Sequence, residues 1–289
     1  MTGTSTAAPV KDSGLIPNMI LGLVAGEGKL PAILAQSAKE RGYKVVAIAL
    51  SKDAFAHVSP HADKVYEVGP GQLGKGMKIL ADANAKSAVF IGKVPKINLL
   101  HNLHKLDWMA ITELSKLPNF NDDTIQRAVG GILETRGVKV LTQSEFLRHL
   151  FPSLGPLTKR EPTVAEFADV EFGLNVAREI ARLDIGQTVI VKDRMVLAVE
   201  AIEGTDEAIK RAVQLARGPV VVVKLAKKGQ DQRFDIPTVG MNTMHSMTAK
   251  EPGGVLAIAD TMMVEREEMV EYADKHGIAI VSVGHFDGL

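Results

Sequence analysis

The chain contains no cysteine among its 289 residues, which excludes disulfides, thiolate nucleophiles and thiolate zinc sites together. It has no excess of charge either, with 34 Lys and Arg against 34 Asp and Glu, so nothing global favours nucleic acid as a partner. No apolar run approaches the roughly 20 residues of a membrane span. Met1 to Ser13 is small and polar, without the basic start and apolar core of a signal peptide, and a disordered tail over 1–17 is expected. There is no Gly-x-Ser-x-Gly elbow, no Walker lysine motif and no internal repeat. What remains is an ordinary globular composition, 46% hydrophobic and 24% charged, long enough for two domains. A cytoplasmic location is the simplest expectation for a cysteine-free chain of this kind.

The first half alternates strands and helices. Apolar runs at Ile20–Ala25, Val45–Leu50, Lys64–Val68, Ala88–Gly92 and Val138–Leu141 read as strands. Leu30–Arg41, Gln72–Ala83, Trp108–Leu117 and Asp122–Arg136 read as helices between them. That alternation predicts an α/β fold, with an N-terminal Rossmann-like parallel-sheet domain over 18–151. Pro152 to Pro162, with three prolines and no periodicity, is the predicted linker. From 163 to 289 a C-terminal mixed α/β catalytic domain is expected. It comprises a long helix Val164–Leu183, a hairpin across Lys192-Asp193-Arg194, and a helix Asp206–Leu215 capped by Thr205 or Asp206. Strands at Val220–Val223, Val255–Ile258 and Ile278–Val283, and a helix Val264–Lys275, complete it.

The segment Lys228 to Gly240 follows the strand at Val220–Val223 and is dense in charge before it closes with Pro237 and Gly240. A strand-end loop presenting a carboxylate, an arginine, lysines and an amide suits an anionic, phosphorylated ligand. Asp235 is the leading candidate within it, followed by Thr243 just beyond. Lys224, Lys227, Lys228 and Arg233 are candidates to balance ligand charge. Gly26-Glu27-Gly28 lies directly after the first strand and before a helix, the context of phosphate-binding loops, although the third glycine of the dinucleotide fingerprint is absent. A plain glycine turn explains it equally well. Gly186 is expected to terminate the long helix, and Gln187 offers both a donor and an acceptor. Glu200, Glu203 and Asp206 meet at a strand–helix junction, where helix capping ranks ahead of Mg²⁺ binding for Asp206 and Glu200 stays open. His101 and His104 lack a third ligand and read as a surface turn, Asp122-Asp123 as a helix start. The methionines from Met241 to Met263 read mostly as core.

Several blocks together carry a family resemblance. They are Gly22 to Pro31, Ile91-Gly92-Lys93-Val94, Ala177 through Leu183-Asp184-Ile185-Gly186-Gln187, Val199 to Asp206, and Gln230 with Arg233 to Gly240. The chain resembles the UDP-2,3-diacylglucosamine pyrophosphatases of lipid A biosynthesis, the type unrelated to calcineurin-like metallophosphoesterases. The resemblance implies Mg²⁺-dependent hydrolysis to UMP and 2,3-diacylglucosamine 1-phosphate by water attack on the uridine-side phosphorus. It also implies two domains with ligand between them, a homodimer, and peripheral contact with the inner membrane surface of a Gram-negative-type bacterium. Carried over by position, Asp235 matches a catalytic aspartate, and Gly28, Ile91, Gly92, Gly186, Gln187 and Thr205 match positions at the ligand. Asp235 and Asp206 are the candidate Mg²⁺ ligands. Glu27 and Lys93 depart from the family pattern. A nonhydrolytic UDP-sugar- or nucleotide-binding regulator is the alternative.

Overall fold

The computed structural model describes residues 19–93, 106–117, 122–227 and 231–284. The predicted tail, His101, His104 and Lys228 fall outside them, as do the side chains of Asp122 and Asp123. By packing, the chain divides into two compact units at Leu141/Thr142.

The first unit runs β1 (Ile20–Ala25), α1 (Leu30–Glu40), β2 (Lys44–Ala49), α2 (Lys52–Val58), β3 (Lys64–Glu67), α3 (Leu73–Asp82), β4 (Ser87–Ile91), α4 (Trp108–Leu114), α5 (Asp122–Thr135) and β5 (Lys139–Val140). The strands form one sheet in the order β3-β2-β1-β4-β5, every pair parallel. β2 and β4 read as nearly continuous apolar runs because a parallel sheet is covered on both faces. The order reverses between β1 and β4, the place where doubly wound sheets bind ligands beyond the strands' carboxyl ends. Pro31 is tolerated because it lies in the first turn of α1, where its missing N–H has no intrahelical acceptor. The sequence does not announce α2. Its Ser51 cap, whose hydroxyl accepts from Ala54 N–H at 3.2 Å, is the local signal for it. Asp107 serves two helices, accepting from Ala110 N–H at 2.9 Å in α4 and from Gly74 N–H at 2.6 Å in α3.

The second unit runs α6 (Ser144–Leu147), β6 (Gly155–Pro156), α7 (Val164–Arg182), β7 (Thr188–Lys192), β8 (Met195–Val199), α8 (Thr205–Leu215), β9 (Val221–Leu225), β10 (Thr238–Val239), α9 (Met241–Met247), β11 (Gly254–Ala259), β12 (Met262–Met263), α10 (Arg266–His276) and β13 (Ile278–Ser282). Six strands form a mixed sheet in the order β6-β13-β11-β9-β7-β8. β9, β11 and β13 are parallel, whereas β7 runs antiparallel to both β8 and β9. Alternation along β9 explains the two cores. Val221, Val223 and Leu225 pack on one face with Val170, Leu174 and Ala177 of α7. Val222 packs on the other with α8, α9 and α10. Met244, Met247, Met262 and Met263 are buried, as core-filling methionines should be. The predicted linker 152–162 is not a bare connection. Gly155 and Pro156 pair with Ser282 and Val281 as an edge strand, where a missing proline N–H is tolerated. Thr158 continues the attachment by accepting from Ile280 N–H at 2.9 Å.

α7 is capped by side chains at its start, closed by backbone bonds at its end, and tied to a neighbouring turn alongside. Thr163 and Glu166 form a capping box, with Glu166 Oε2 accepting from Thr163 N–H at 2.8 Å. Burial pushes the Glu166 carboxyl up, but the Thr163 N–H and hydroxyl and the paired Arg160 guanidinium outweigh it and hold it below its ordinary value. The helix closes at Leu183, its predicted end, but Asp184 rather than Gly186 terminates it. Asp184 takes the left-handed conformation at φ 57°, and Ile185 N–H reaches Ile180 O at 3.2 Å in a Schellman arrangement. Buried Asp169 of α7 accepts from the N–H groups of Asp193 and Arg194, at 3.0 and 2.6 Å, in the β7–β8 turn. Both turn residues have positive φ, 51° and 55°, so one carboxylate stabilises a turn made without glycine.

Candidate active site

β7 runs antiparallel to β9 with Thr188 opposite Lys224, so the start of β7 lies at the carboxyl end of β9. Leu225 N–H donates to Gln187 O at 3.1 Å and Glu200 N–H to Thr188 O at 2.9 Å, which brings the end of β8 to the same edge. There the polar residues converge. Gln187 Nε2 reaches Asp235 Oδ2 at 3.5 Å. Lys224 Nζ donates to Thr205 Oγ1 at 2.7 Å, and Thr205 Oγ1 donates to Glu200 Oε1 at 2.8 Å. Thr243 Oγ1 donates to Asp206 Oδ1 at 3.1 Å. Lys227 pairs with Asp184, tying the turn before Gln187 to the end of β9. Asp260, exposed with φ 45°, follows β11 at the same edge, and no sequence motif marked it.

Asp235 itself is exposed, while Phe234 and Ile236 beside it are buried and act as anchors. The Phe234 carbonyl accepts from the Nε2 of Gln143 at 3.0 Å, a buried bond between residues far apart in the chain. Gln143 N–H also donates to Gln232 O at 3.2 Å. Beyond Asp235, Met262 N–H donates to Pro237 O at 2.8 Å, and β10 pairs with β12. The carboxylate is thus presented to solvent from a segment fastened on both sides.

The other predicted residues divide sharply. Arg233 is clamped on Asp231, with Nε to Oδ1 at 2.9 Å and Nη2 to Oδ2 at 2.8 Å, and its guanidinium lies 5.1 Å from the Phe234 ring centroid. Asp231 is the residue that holds Arg233. Thr243 is 4% exposed and gives its proton to Asp206. Thr205 is the first residue of α8 rather than its cap, a place taken by Gly204. Gly186 answers to packing, because a Cβ there would lie 2.0 Å from Glu200 O. Gly240 has extended backbone at φ −154°, which any residue adopts, so the loop does not owe its shape to a glycine there.

Gly28, Ile91 and Gly92 gather in the first unit, at the carboxyl ends of β1 and β4. Gly26 and Gly92 pack back to back. A Cβ on Gly26 would lie 2.5 Å from Lys93 O, and one on Gly92 would lie 2.7 Å from the Gly26 carbonyl carbon. Gly92 also has φ +94°. Glu27 and Lys93 exchange backbone hydrogen bonds of 2.7 and 3.1 Å across this contact. Ile91 is buried, with its carbonyl accepting from Gly26 N–H at 2.8 Å. Exposed Gly28, at φ +97° with its N–H 3.4 Å from Asp53 Oδ2, is the open position of the group.

Comparison with known proteins decides the family. A model of the LpxI N-terminal domain matches residues 20–150, and one of the LpxI C-terminal domain matches 153–281. The chain belongs to the LpxI family. A curated LpxI relative, the UDP-2,3-diacylglucosamine pyrophosphatase of Caulobacter vibrioides, is 32% identical over 91% of this chain and 97% of its own. Among solved structures, an ADP complex of N5-carboxyaminoimidazole ribonucleotide synthetase is 16% identical with a TM-score of 0.29, covering 72% of this chain and 38% of that one. The N5-carboxyaminoimidazole synthetase of Staphylococcus aureus is 15% identical with a TM-score of 0.25, covering 72% and 47%. The LpxI domain models meet between 150 and 153, whereas the packed units divide at 141/142, so Gln143 belongs by packing with the Asp235 segment.

For Mg²⁺ the donor set can be tested directly. Among the described residues no three His, Asp or Glu side chains gather as a metal cage. Mg²⁺ needs less, one or two carboxylates with phosphate oxygens and waters completing its shell. Exposed Asp235 meets that requirement. Asp206 does so less well, since it accepts from Thr243 and lies in the first turn of α8, where a carboxylate complements the helix N-terminus.

Proposed function

We propose that this LpxI-family chain hydrolyses the pyrophosphate bond of UDP-2,3-diacylglucosamine, giving UMP and 2,3-diacylglucosamine 1-phosphate. The observation that carries the reading is the exposed Asp235 carboxylate beside the Gln187 amide, in a chain 32% identical to a pyrophosphatase of that substrate. Asp235 accepts one proton of the attacking water, and Gln187 orients the carboxylate. The water oxygen bonds to the phosphorus beside uridine. The bridging P–O bond breaks, and its electron pair leaves on the lipid phosphate. Lys224 places positive charge at the same strand end, where the displaced phosphate gains negative charge. Mg²⁺ held by Asp235 supplies further charge neutralisation at the pyrophosphate when bound.

Among the described residues no helix is long and apolar enough to cross a membrane. Following the family resemblance, the reading includes reversible contact with the inner membrane surface through the acylated substrate, and a cytoplasmic, homodimeric enzyme. Hydrolysis in ¹⁸O-water tests the point of attack. Label is expected in UMP and absent from the lipid phosphate, whereas label in the lipid phosphate contradicts the assignment. Binding of UDP-sugars without any turnover would favour the regulatory alternative.

A further inference from the structure

One atom at this strand edge has no role in the chemistry so far. Among the described residues, Glu200 Oε2 is buried and without a hydrogen-bond partner. A buried carboxylate oxygen left unpaired costs free energy, and such groups persist where something else depends on them. Its other oxygen accepts from the Thr205 hydroxyl. Thr205 has one hydroxyl proton, a lysine ammonium can only donate and an ionised carboxylate can only accept. The two bonds around Thr205 Oγ1 therefore have a fixed direction, from Lys224 at 2.7 Å and to Glu200 Oε1 at 2.8 Å. Thr188 Oγ1 lies 3.5 Å from the same hydroxyl. We propose that Glu200 is a positioning residue that fixes the ammonium of Lys224 through the Thr205 hydroxyl.

Three consequences support this assignment. Lys224 is 7% exposed, so its charge is largely withdrawn from water and gains from a carboxylate one hydroxyl away. A lysine stem is flexible, and a directed acceptor removes that freedom before the ligand arrives. Thr205 spends its only proton on Glu200, so it cannot donate to a phosphate and serves the site through Lys224. Glu200 is itself held from behind. Its backbone lies against Gly186, where a Cβ would meet Glu200 O at 2.0 Å and Glu200 Cβ at 3.3 Å. The functional value of a fixed Lys224 rests on the hydrolase reading above. The positioning itself does not.

Two measurements on the full chain separate these. In UMP release, Glu200→Ala and Thr205→Val should each lower kcat by about tenfold or more with a small change in KM. Thr205→Ser should recover most of what Thr205→Val loses. In a Lys224→Met background, adding Glu200→Ala should change kcat by less than about twofold, as expected of residues acting as one unit. An equal loss in both backgrounds would overturn the proposal, because a merely structural Glu200 acts independently of Lys224. The second measurement is acetylation of Lys224 by acetic anhydride, read by mass spectrometry without substrate. Glu200→Ala and Thr205→Val should each raise it several-fold, and labelling equal to wild type in both would also overturn the proposal. Wild-type protein that releases no UMP defeats the hydrolase reading alone, and labelling then decides the positioning.

Discussion

Asp235 is exposed although both its neighbours, Phe234 and Ile236, are buried, so the segment turns one carboxylate outward and anchors itself on either side. Gln143 completes the anchoring at the Phe234 carbonyl. Gln143→Ala removes the amide that donates to that buried carbonyl, at a cost of about 1–3 kcal/mol measured by urea unfolding. UMP release should fall by more than that change in folded population explains. Gly186 belongs to a different class. Because its Cβ would meet the Glu200 carbonyl at 2.0 Å, Gly186→Ala should lower stability by about 1–3 kcal/mol even without ligand. A substitution that weakens only substrate binding would contradict this. At this scale the sequence was informative where chemistry is local. Asp235 stood in a charged strand-end loop closed by Pro237. Gln143 was illegible because its partner lies 91 residues away, and the close backbone approaches at Gly26, Gly92 and Gly186 leave no local pattern in the sequence. Glu200 was visible in its acidic block, but only the fold shows Thr205 and Lys224 around it.

Helix α7 shows how much of an element is written locally. Its apolar spacing and its Thr163–Glu166 start are both readable, and the structure places it at Val164–Arg182. Its end at Leu183 was readable too, but the terminating residue was not, because a left-handed aspartate, Asp184, does the work assigned to Gly186. The capping box also sets a pH dependence. The folded-state value of Glu166 is depressed, so its contribution is present above the ordinary carboxylate value and is lost as pH falls through the lower folded value. Urea unfolding compared between pH 7 and pH 4 should therefore show a smaller loss on acidification in Glu166→Gln than in wild type. An identical loss would show that the pair contributes nothing to acid stability.

At the scale of the whole molecule, the parallel sheet of the first unit and the mixed sheet of the second follow from apolar runs separated by helical spacing. The packed units divide at 141/142, whereas the LpxI domain models meet between 150 and 153, beside the predicted linker start at Pro152. Proline and glycine mark turns, and the Pro152–Pro162 segment is bound into the second sheet through Gly155 and Pro156. The proposed hydrolysis adds one requirement at this scale. A single carboxylate with substrate phosphates holds Mg²⁺ weakly, so EDTA should abolish UMP release and millimolar Mg²⁺ should restore it without shifting the thermal midpoint. Undiminished turnover in EDTA would remove the metal from the account.

The most direct test is UMP release from UDP-2,3-diacylglucosamine by wild-type protein and by Asp235→Asn, which preserves shape and removes the charge. Wild type should turn over. The variant should lose about 10²- to 10⁴-fold in kcat, the usual contribution of a positioned general base, with its thermal midpoint unchanged. A wild type that leaves this substrate intact, or an Asp235→Asn protein that hydrolyses it at the wild-type rate, would contradict the account.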